Sequence, residues 1–342
     1  MSKLSSAPQA TVFCGIDVSA VSLAVAVQQH DQPFEHRQLA NSASGHKALI
    51  AWLHRLKAPV RVSLEATGIY SLDLAIALDA AEGIEVAVVN PKAIHRFAQT
   101  LRRSKTDRAD AQVLAEYSRR MPFAAWRAPA PAALQLRAIS RHIDGLTVEH
   151  TRERNRLHAA RGSAATPGCV LDDLRHSMAS LKRRIEKLRR EAIHLVESDD
   201  ALRQRFELLT SMPGIAQISA LQLLGELASL PPEMSVRQWV AHSGLDPAHR
   251  ESGASVHKPA RISRSGNRRL RRALHMPALT AVRWDPHLKA FYESLLARHK
   301  RKMQALVAVA RKLLHAIYGI FKTQTPFDGS KLFPQLEIAS TL

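Results

Sequence analysis

Four acids in the first third of the chain have the types and spacing of a metal-binding carboxylate set: Asp17, Glu65, Asp107 and Asp110. Asp17 closes an apolar run in Gly15-Ile16-Asp17, and Glu65 closes another in Leu64-Glu65-Ala66-Thr67-Gly68. A carboxylate at the end of a buried strand is costly unless something compensates it, and a divalent cation does so. Asp107 and Asp110 stand at i and i+3, so both project from one face of a helix. Hard oxygen ligands of this kind suit Mg²⁺. Two such ions about 4 Å apart stabilise the attacking and leaving oxygens of a phosphodiester. Plainer roles stay open for single members: Asp107 as a helix cap, Glu65 as half of an ion pair. Lys105 and Arg108 flank the acids, either meeting a phosphate or simply solvated.

A second constellation lies in residues 239–284, where hydroxyls, glycines and cations crowd together. Ser252 precedes Gly253 and Ser265 precedes Gly266. A serine beside glycine leaves room for a substrate to approach, but its hydroxyl needs a base, cation or metal to become a nucleophile. Arg250, Lys258, Arg261 and Arg264 are the nearby cations. Such a serine is also an ordinary turn or cap residue, and composition alone does not select Ser252. Arg268, Arg269, Arg271 and Arg272 open a helix and cover more than one of its faces, a pattern suited to gripping a phosphate backbone. Aromatics are sparse in this stretch, so stacking on single strands is not suggested there.

The elements that must position these groups alternate in residues 11–120. Strands are expected at 11–18, 22–29 and 34–41, then a helix over 45–56, a strand over 60–66, a helix over 71–83 and a strand over 84–90. Two helices follow, near 91–101 and 107–120. A three-stranded meander followed by α–β units is the pattern of a ribonuclease H-like, α/β fold. Residues 124–131 read as a Pro- and Ala-rich linker. A helix over 132–161 and a turn at 162–168 lead to Leu174, Met178, Leu181, Ile185, Leu188, Ala192 and Leu195, an a/d seam over three heptads. That seam closes either on its own partner helix or on another subunit. From 206 to 325 the chain reads as mostly helical. Pro213-Gly214-Ile215 is either a helix-hairpin-helix turn that holds a DNA phosphate or a plain helix–helix turn. The expected domains are an N-terminal one over 10–122, a helical coiled-coil segment over 130–200 and a helical C-terminal domain over 204–328.

The net charge of +19 calls for a polyanionic partner, with nucleic acid ahead of a membrane surface. Between Glu251 and Lys322 there are 16 Lys or Arg against 3 Asp or Glu. Cys14 and Cys169 form no CxxC pair, consistent with a reduced cytosolic setting. Cys14 lies in an apolar run and reads as a small core residue. No apolar run reaches the ~18 residues of a membrane span, and Lys3 is followed by no signal-like apolar core. The expected location is the cytoplasm.

Taken together these residues resemble the DEDD-type transposases of the insertion sequence 110 family, the bridge-RNA-guided recombinases. The resemblance runs from about residue 12 to 329. It is carried by Gly15-Ile16-Asp17, Glu65-Ala66-Thr67-Gly68, Asn90-Pro91 and Lys105-Thr106-Asp107-Arg108-Ala109-Asp110-Ala111. In the C-terminal half it rests on Pro213-Gly214-Ile215, Gly244-Leu245-Asp246-Pro247, Glu251-Ser252-Gly253 and Ser263-Arg264-Ser265-Gly266. Arg264 replaces a lysine common in the family, and His242-Ser243 replaces small apolar residues. The resemblance implies a RuvC-like domain, a coiled coil and a C-terminal transposase domain. It implies Mg²⁺ on Asp17, Glu65, Asp107 and Asp110, and Ser252 as a nucleophile that becomes joined to DNA. It further implies donor and target duplexes, a noncoding bridge RNA, a homo-oligomer (dimer or tetramer) with a composite site, and residence at the bacterial nucleoid. The RNA's base pairing would specify sequence while the basic surface holds its backbone.

Overall fold

The computed structural model describes residues 11–29, 31–66, 68–101, 106–252 and 256–332, without the side chains of residues 249–252 and 256–260. Lys105 and Gly253 therefore lie outside the described residues, as do the side chains of Arg250, Glu251, Ser252 and Lys258. The chain packs as two compact units, one through Ala128 and one from Pro129.

The first unit is built on a five-stranded sheet. Strands β1 (Val12–Val18), β2 (Ser22–Gln29) and β3 (Glu35–Ala40) form an antiparallel meander. Strands β4 (Val60–Glu65) and β5 (Ile84–Val89) add in parallel on the other side of β1, giving the order β3-β2-β1-β4-β5. This order and polarity is the ribonuclease H-like arrangement expected from the strand pattern. Side chains alternate across a sheet, so Val12, Cys14 and Ile16 share one face. They are buried with Leu49, Trp52 and Leu53 of helix α1 (Ala43–His54) and Leu74 and Leu78 of helix α2 (Leu72–Asp79). Burial pushes the Cys14 thiol far above its usual range, which leaves it an inert core residue. Helix α3 (Pro91–Leu101) packs with β5 and with helix α4 (Asp107–Arg120), which covers the opposite face. The expected linker is held to this unit: Trp126 N donates to the Val86 carbonyl, and Arg127 and the Ala128 amide bind Asp79.

The second unit begins with a helical hairpin, α5 (Pro131–Arg161) and α6 (Gly168–Glu197). Its seam closes in part on its own partner helix, because Ile143 and Leu146 of α5 are buried against Leu181 and Ile185 of α6. At the hairpin base, Leu136, Ala192 and Val196 join the large core of the C-terminal helices. Those helices are α7 (Asp200–Thr210), α8 (Gln217–Leu227), α9 (Val236–Ser243), α10 (Arg268–Ala273), α11 (His275–Trp284), α12 (Pro286–Ala297) and α13 (Lys302–Thr323). By length and composition α13 is long and apolar enough to cross a membrane, although Arg311 and Lys312 interrupt its apolar residues. In the protein it is a core helix, with Val309, Leu313, Leu314 and Ile317 fully buried.

The C-terminal half is mostly helical, as expected, and it also holds a hairpin of strands β6 (Pro247–Ser252) and β7 (Val256–Ile262). Pro247 and Pro259 cannot sit in a helix interior, and the antiparallel ladder satisfies the backbone instead. The Pro213-Gly214-Ile215 turn joins α7 to α8. A Cβ at Gly214 would press on the Pro277 carbonyl and the Ala281 amide of α11, so that side of the turn meets protein.

Candidate carboxylate site and serine hairpin

The carboxylates are organised by register. Gly15 pairs with Ser63 across the parallel β1–β4 ladder, and Ile16 with Leu64. Two residues beyond the Gly15–Ser63 pair, on the same face by alternation, stand Asp17 and Glu65. That face is the one α4 covers. A Cβ at Gly15 would overlap the Ala111 carbonyl oxygen and the Ala115 amide nitrogen, so only glycine lets the helix backbone lie directly on the strand. Further along α4, Ser118 Oγ donates to the Arg61 carbonyl near the start of β4, so the helix runs antiparallel to β1 and β4. Its first turn therefore points towards the strand ends where Asp17 and Glu65 stand, and that turn carries Asp107 and Asp110.

The cap of α4 is Thr106, whose side chain accepts from the Ala109 amide, so the capping role open to Asp107 is filled by its neighbour. Asp107 and Arg108 are exposed, while Asp17, Glu65 and Asp110 are half-buried. Among the described residues, no three His, Cys, Asp or Glu side chains close into a ready metal-ligand set. The donor chemistry nonetheless suits a hard divalent cation, because Asp17 and Glu65 stand at neighbouring strand ends on the face that α4 covers, and Asp107 and Asp110 lie in the first turn of that helix.

The second constellation is a hairpin with a polar root. Ser252 is the last residue of β6 and pairs with Val256, next to the tip. Arg250 pairs with Lys258, and Ala248 with Arg261, which is exposed. At the root, the two motifs that flank the hairpin are stitched together. Ser263 N donates to the Asp246 carbonyl at 2.8 Å and Ser263 Oγ to Asp246 Oδ1 at 2.6 Å. Arg264 N donates to the Gly244 carbonyl, and Asn267 N to the His242 carbonyl. Gly266 has φ +137°, and a Cβ there would overlap the His242 carbonyl, so its glycine serves backbone approach at the root. Ser265 belongs to the same root: its amide donates to Ser263 Oγ.

The four arginines of α10 divide in two. Arg268 and Arg269 are exposed, as is Arg264 just before the helix. Arg271 turns inward and donates to the Ser243 carbonyl at 2.7 Å. Arg272 forms an ion pair with Asp144 of α5 at 2.8 Å. Arg271 and Arg272 thus also have partners within the unit.

Beneath this root lies a group that sequence reasoning missed. Glu226, in α8, is only 4% exposed. It accepts from Arg141 Nε and Nη2 at 2.7 and 2.8 Å and from Asn267 Nδ2 at 2.6 Å. Burial alone would raise its carboxyl, but the Arg141 and Asn267 hydrogen bonds outweigh that and hold it below the ordinary range. Asn267 also caps α10 through the amides of Arg269 and Leu270. The signal was available, since Glu226 is the lone charge in the apolar run Ala220–Leu227. His242 sits beside it with its ring shifted below its usual value, mainly by burial.

Comparison with known proteins agrees with this layout. A DEDD-type transposase profile of the IS110 group matches residues 14–160, and a profile described as "Transposase IS116/IS110/IS902 family" matches residues 206–293. The chain is 28% identical over 321 residues to the pilin gene-inverting protein of Moraxella bovis, covering 92% of this chain and 97% of that one. It is 24% identical to the IS116 uncharacterized 44.8 kDa protein of Streptomyces clavuligerus, covering 92% and 96%. Among solved structures, Thermus thermophilus RuvC in complex with Holliday junction substrate aligns with 32% of this chain and 95% of its own, at 16% identity and a TM-score of 0.25.

Proposed function

The chain belongs to the IS110 family of transposases and is a DNA recombinase, and on that premise we propose that it cuts and rejoins donor and target DNA through two groups of residues. In the first, Asp17, Glu65, Asp107 and Asp110 hold Mg²⁺ at a scissile phosphate. The observation that carries this is the β1–β4 register together with the Gly15 contact, which turns both strand-end acids towards the first turn of α4. When bound, Mg²⁺ supplies positive charge to the phosphate oxygens.

In the second group, Ser252 Oγ attacks phosphorus. The Oγ–P bond forms as the bond to the leaving sugar oxygen breaks. The serine proton is lost to solvent and the leaving oxygen takes one up. The phosphoserine ester conserves the bond for joining to the other strand. The hairpin supports this reading by holding Ser252 beside a tip whose root is fastened at Asp246, Ser263 and Asn267. Exposed Arg261, Arg264, Arg268 and Arg269, with Lys258, Lys105 and Arg108, would meet nucleic-acid backbones. Guidance by a noncoding bridge RNA and assembly as a dimer or tetramer, with the two groups combined between subunits, complete the proposal.

The test is a reaction on DNA carrying the element's ends, resolved under denaturing conditions. Wild type should leave protein covalently attached to a DNA end. Ser252→Ala should lose the adduct and cutting together, and Asp17→Asn should slow cutting on the order of 10²–10³-fold. Continued cutting by Ser252→Ala with protein-free ends would mean that water is the nucleophile.

A further inference from the structure

Next to the strand-end acids, the first unit exposes a cluster of large apolar side chains. Val21 is 78% exposed, Ile69 77% and Tyr70 51%. They belong to the two loops that follow Asp17 and Glu65. One side chain joins those loops. Asn41 Nδ2 donates to the Ser19 carbonyl at 2.8 Å and to the Tyr70 carbonyl at 3.1 Å. The Asn41 amide also donates to the Val21 carbonyl at 3.0 Å. Because one NH₂ group reaches both carbonyls, the two loops stand side by side. Asn41 Oδ1 is held in turn by His46 Nε2 at 2.8 Å, which must be the donor because the oxygen can only accept. His46 is buried, and that burial lowers its pKa against the opposing pull of Asp73. A groove lined by Asn41, His46, Lys47, Ile50, Ile69 and Tyr70 runs from this cluster.

Three large apolar side chains left in water by a rigid clamp are costly surface unless a ligand covers them. Protein and nucleic acid differ in what they would bring here. The groove sets its apolar side chains beside the exposed Lys47 amine, with the Asp73 carboxylate further along the same lining. An apolar or aromatic face beside a cation matches one nucleotide, with the base on the face and its phosphate on the amine.

We propose that Val21, Ile69 and Tyr70 form a platform for an unpaired nucleobase adjoining the phosphate at the strand-end acids, with Asn41 and His46 as the residues that hold the platform in place. This rests on the reading that Asp17 and Glu65 face the scissile phosphate. It adds a reason for DNA to be opened there: a base lifted from its stack gives the phosphate beside it room to bend towards the carboxylates.

The experiment uses the full-length chain with Ca²⁺ replacing Mg²⁺. The probes are two duplexes of one length, one fully paired and one with a single unpaired 2-aminopurine. Wild type should bind the unpaired probe roughly tenfold more tightly and quench its emission. Tyr70→Ala and Ile69→Ala should abolish both the preference and the quenching, with unchanged thermal unfolding, while Tyr70→Trp restores them. Asn41→Ala should weaken the preference in part. The proposal is overturned if the alanine variants keep wild-type quenching. It is equally overturned if Ile69→Ala splits an oligomer while probe binding is unchanged, since the face would then be covered by a second copy. If Asp17→Asn fails to slow cutting while the quenching persists, the metal reading falls and the platform stands.

Discussion

The two units place their candidate site residues by different means. In the first, a backbone ladder does it: β1 and β4 are locked in register, and Gly15 lets α4 lie on them, so acids 48 positions apart in the chain share an edge. In the second, a two-stranded hairpin is held at its root by side chains, chiefly Ser263 on Asp246 and the Glu226–Arg141–Asn267 group. Each arrangement has its own weak point. A ladder fails where sterics push the helix away. A polar root fails when one member of a buried, mutually satisfied group is removed.

That contrast can be broken experimentally. The largest effect is expected at the root. Glu226→Ala leaves the Arg141 guanidinium and Asn267 amide without their shared acceptor, and should cost roughly 2–4 kcal/mol, discounted because Arg141 is partly exposed. Chemical denaturation would read it, with Glu226→Gln recovering part. The same group predicts a pH dependence. Its carboxyl is held below the ordinary 4.5, so its stabilisation is complete above that value and is lost as pH falls through the lower, folded-state value. Thermal unfolding scanned downward from neutral pH should show the second unit weakening over that acid range, and Glu226→Gln should flatten the response.

A smaller effect is expected in the ladder. Gly15→Ala forces α4 off β1 and should cost roughly 1–3 kcal/mol by overpacking. If register and not mere stability positions the acids, cutting should fall much further than the unfolding shift implies. Equal losses in both would show that the helix contact matters only for folding. The smallest effects belong to the arginines. Arg268→Ala and Arg269→Ala should each reduce the slope of log affinity against log salt by about one, with stability unchanged. Arg271→Ala should instead lower stability, because its guanidinium supports the Ser243 carbonyl.

By itself the sequence determined the succession of strands and helices in the first unit and singled out the candidate acids. Apolar alternation in β1 and β4, the Asp107/Asp110 spacing and the density of cations are local properties, set by side-chain period and composition. Only the tertiary structure decided which arginines look outward, because Arg268 and Arg271 differ in nothing but their angular position on α10 relative to the loop at Ser243. It also decided that Thr106 and not Asp107 caps α4, that Pro213-Gly214 packs on α11, and that the serine stretch is a hairpin. Glu226 was visible as a charge in an apolar run, but its partners lie 85 and 41 residues away in the chain. Pairings at that range leave no periodic trace, since they arise from how helices pack and not from any local repeat.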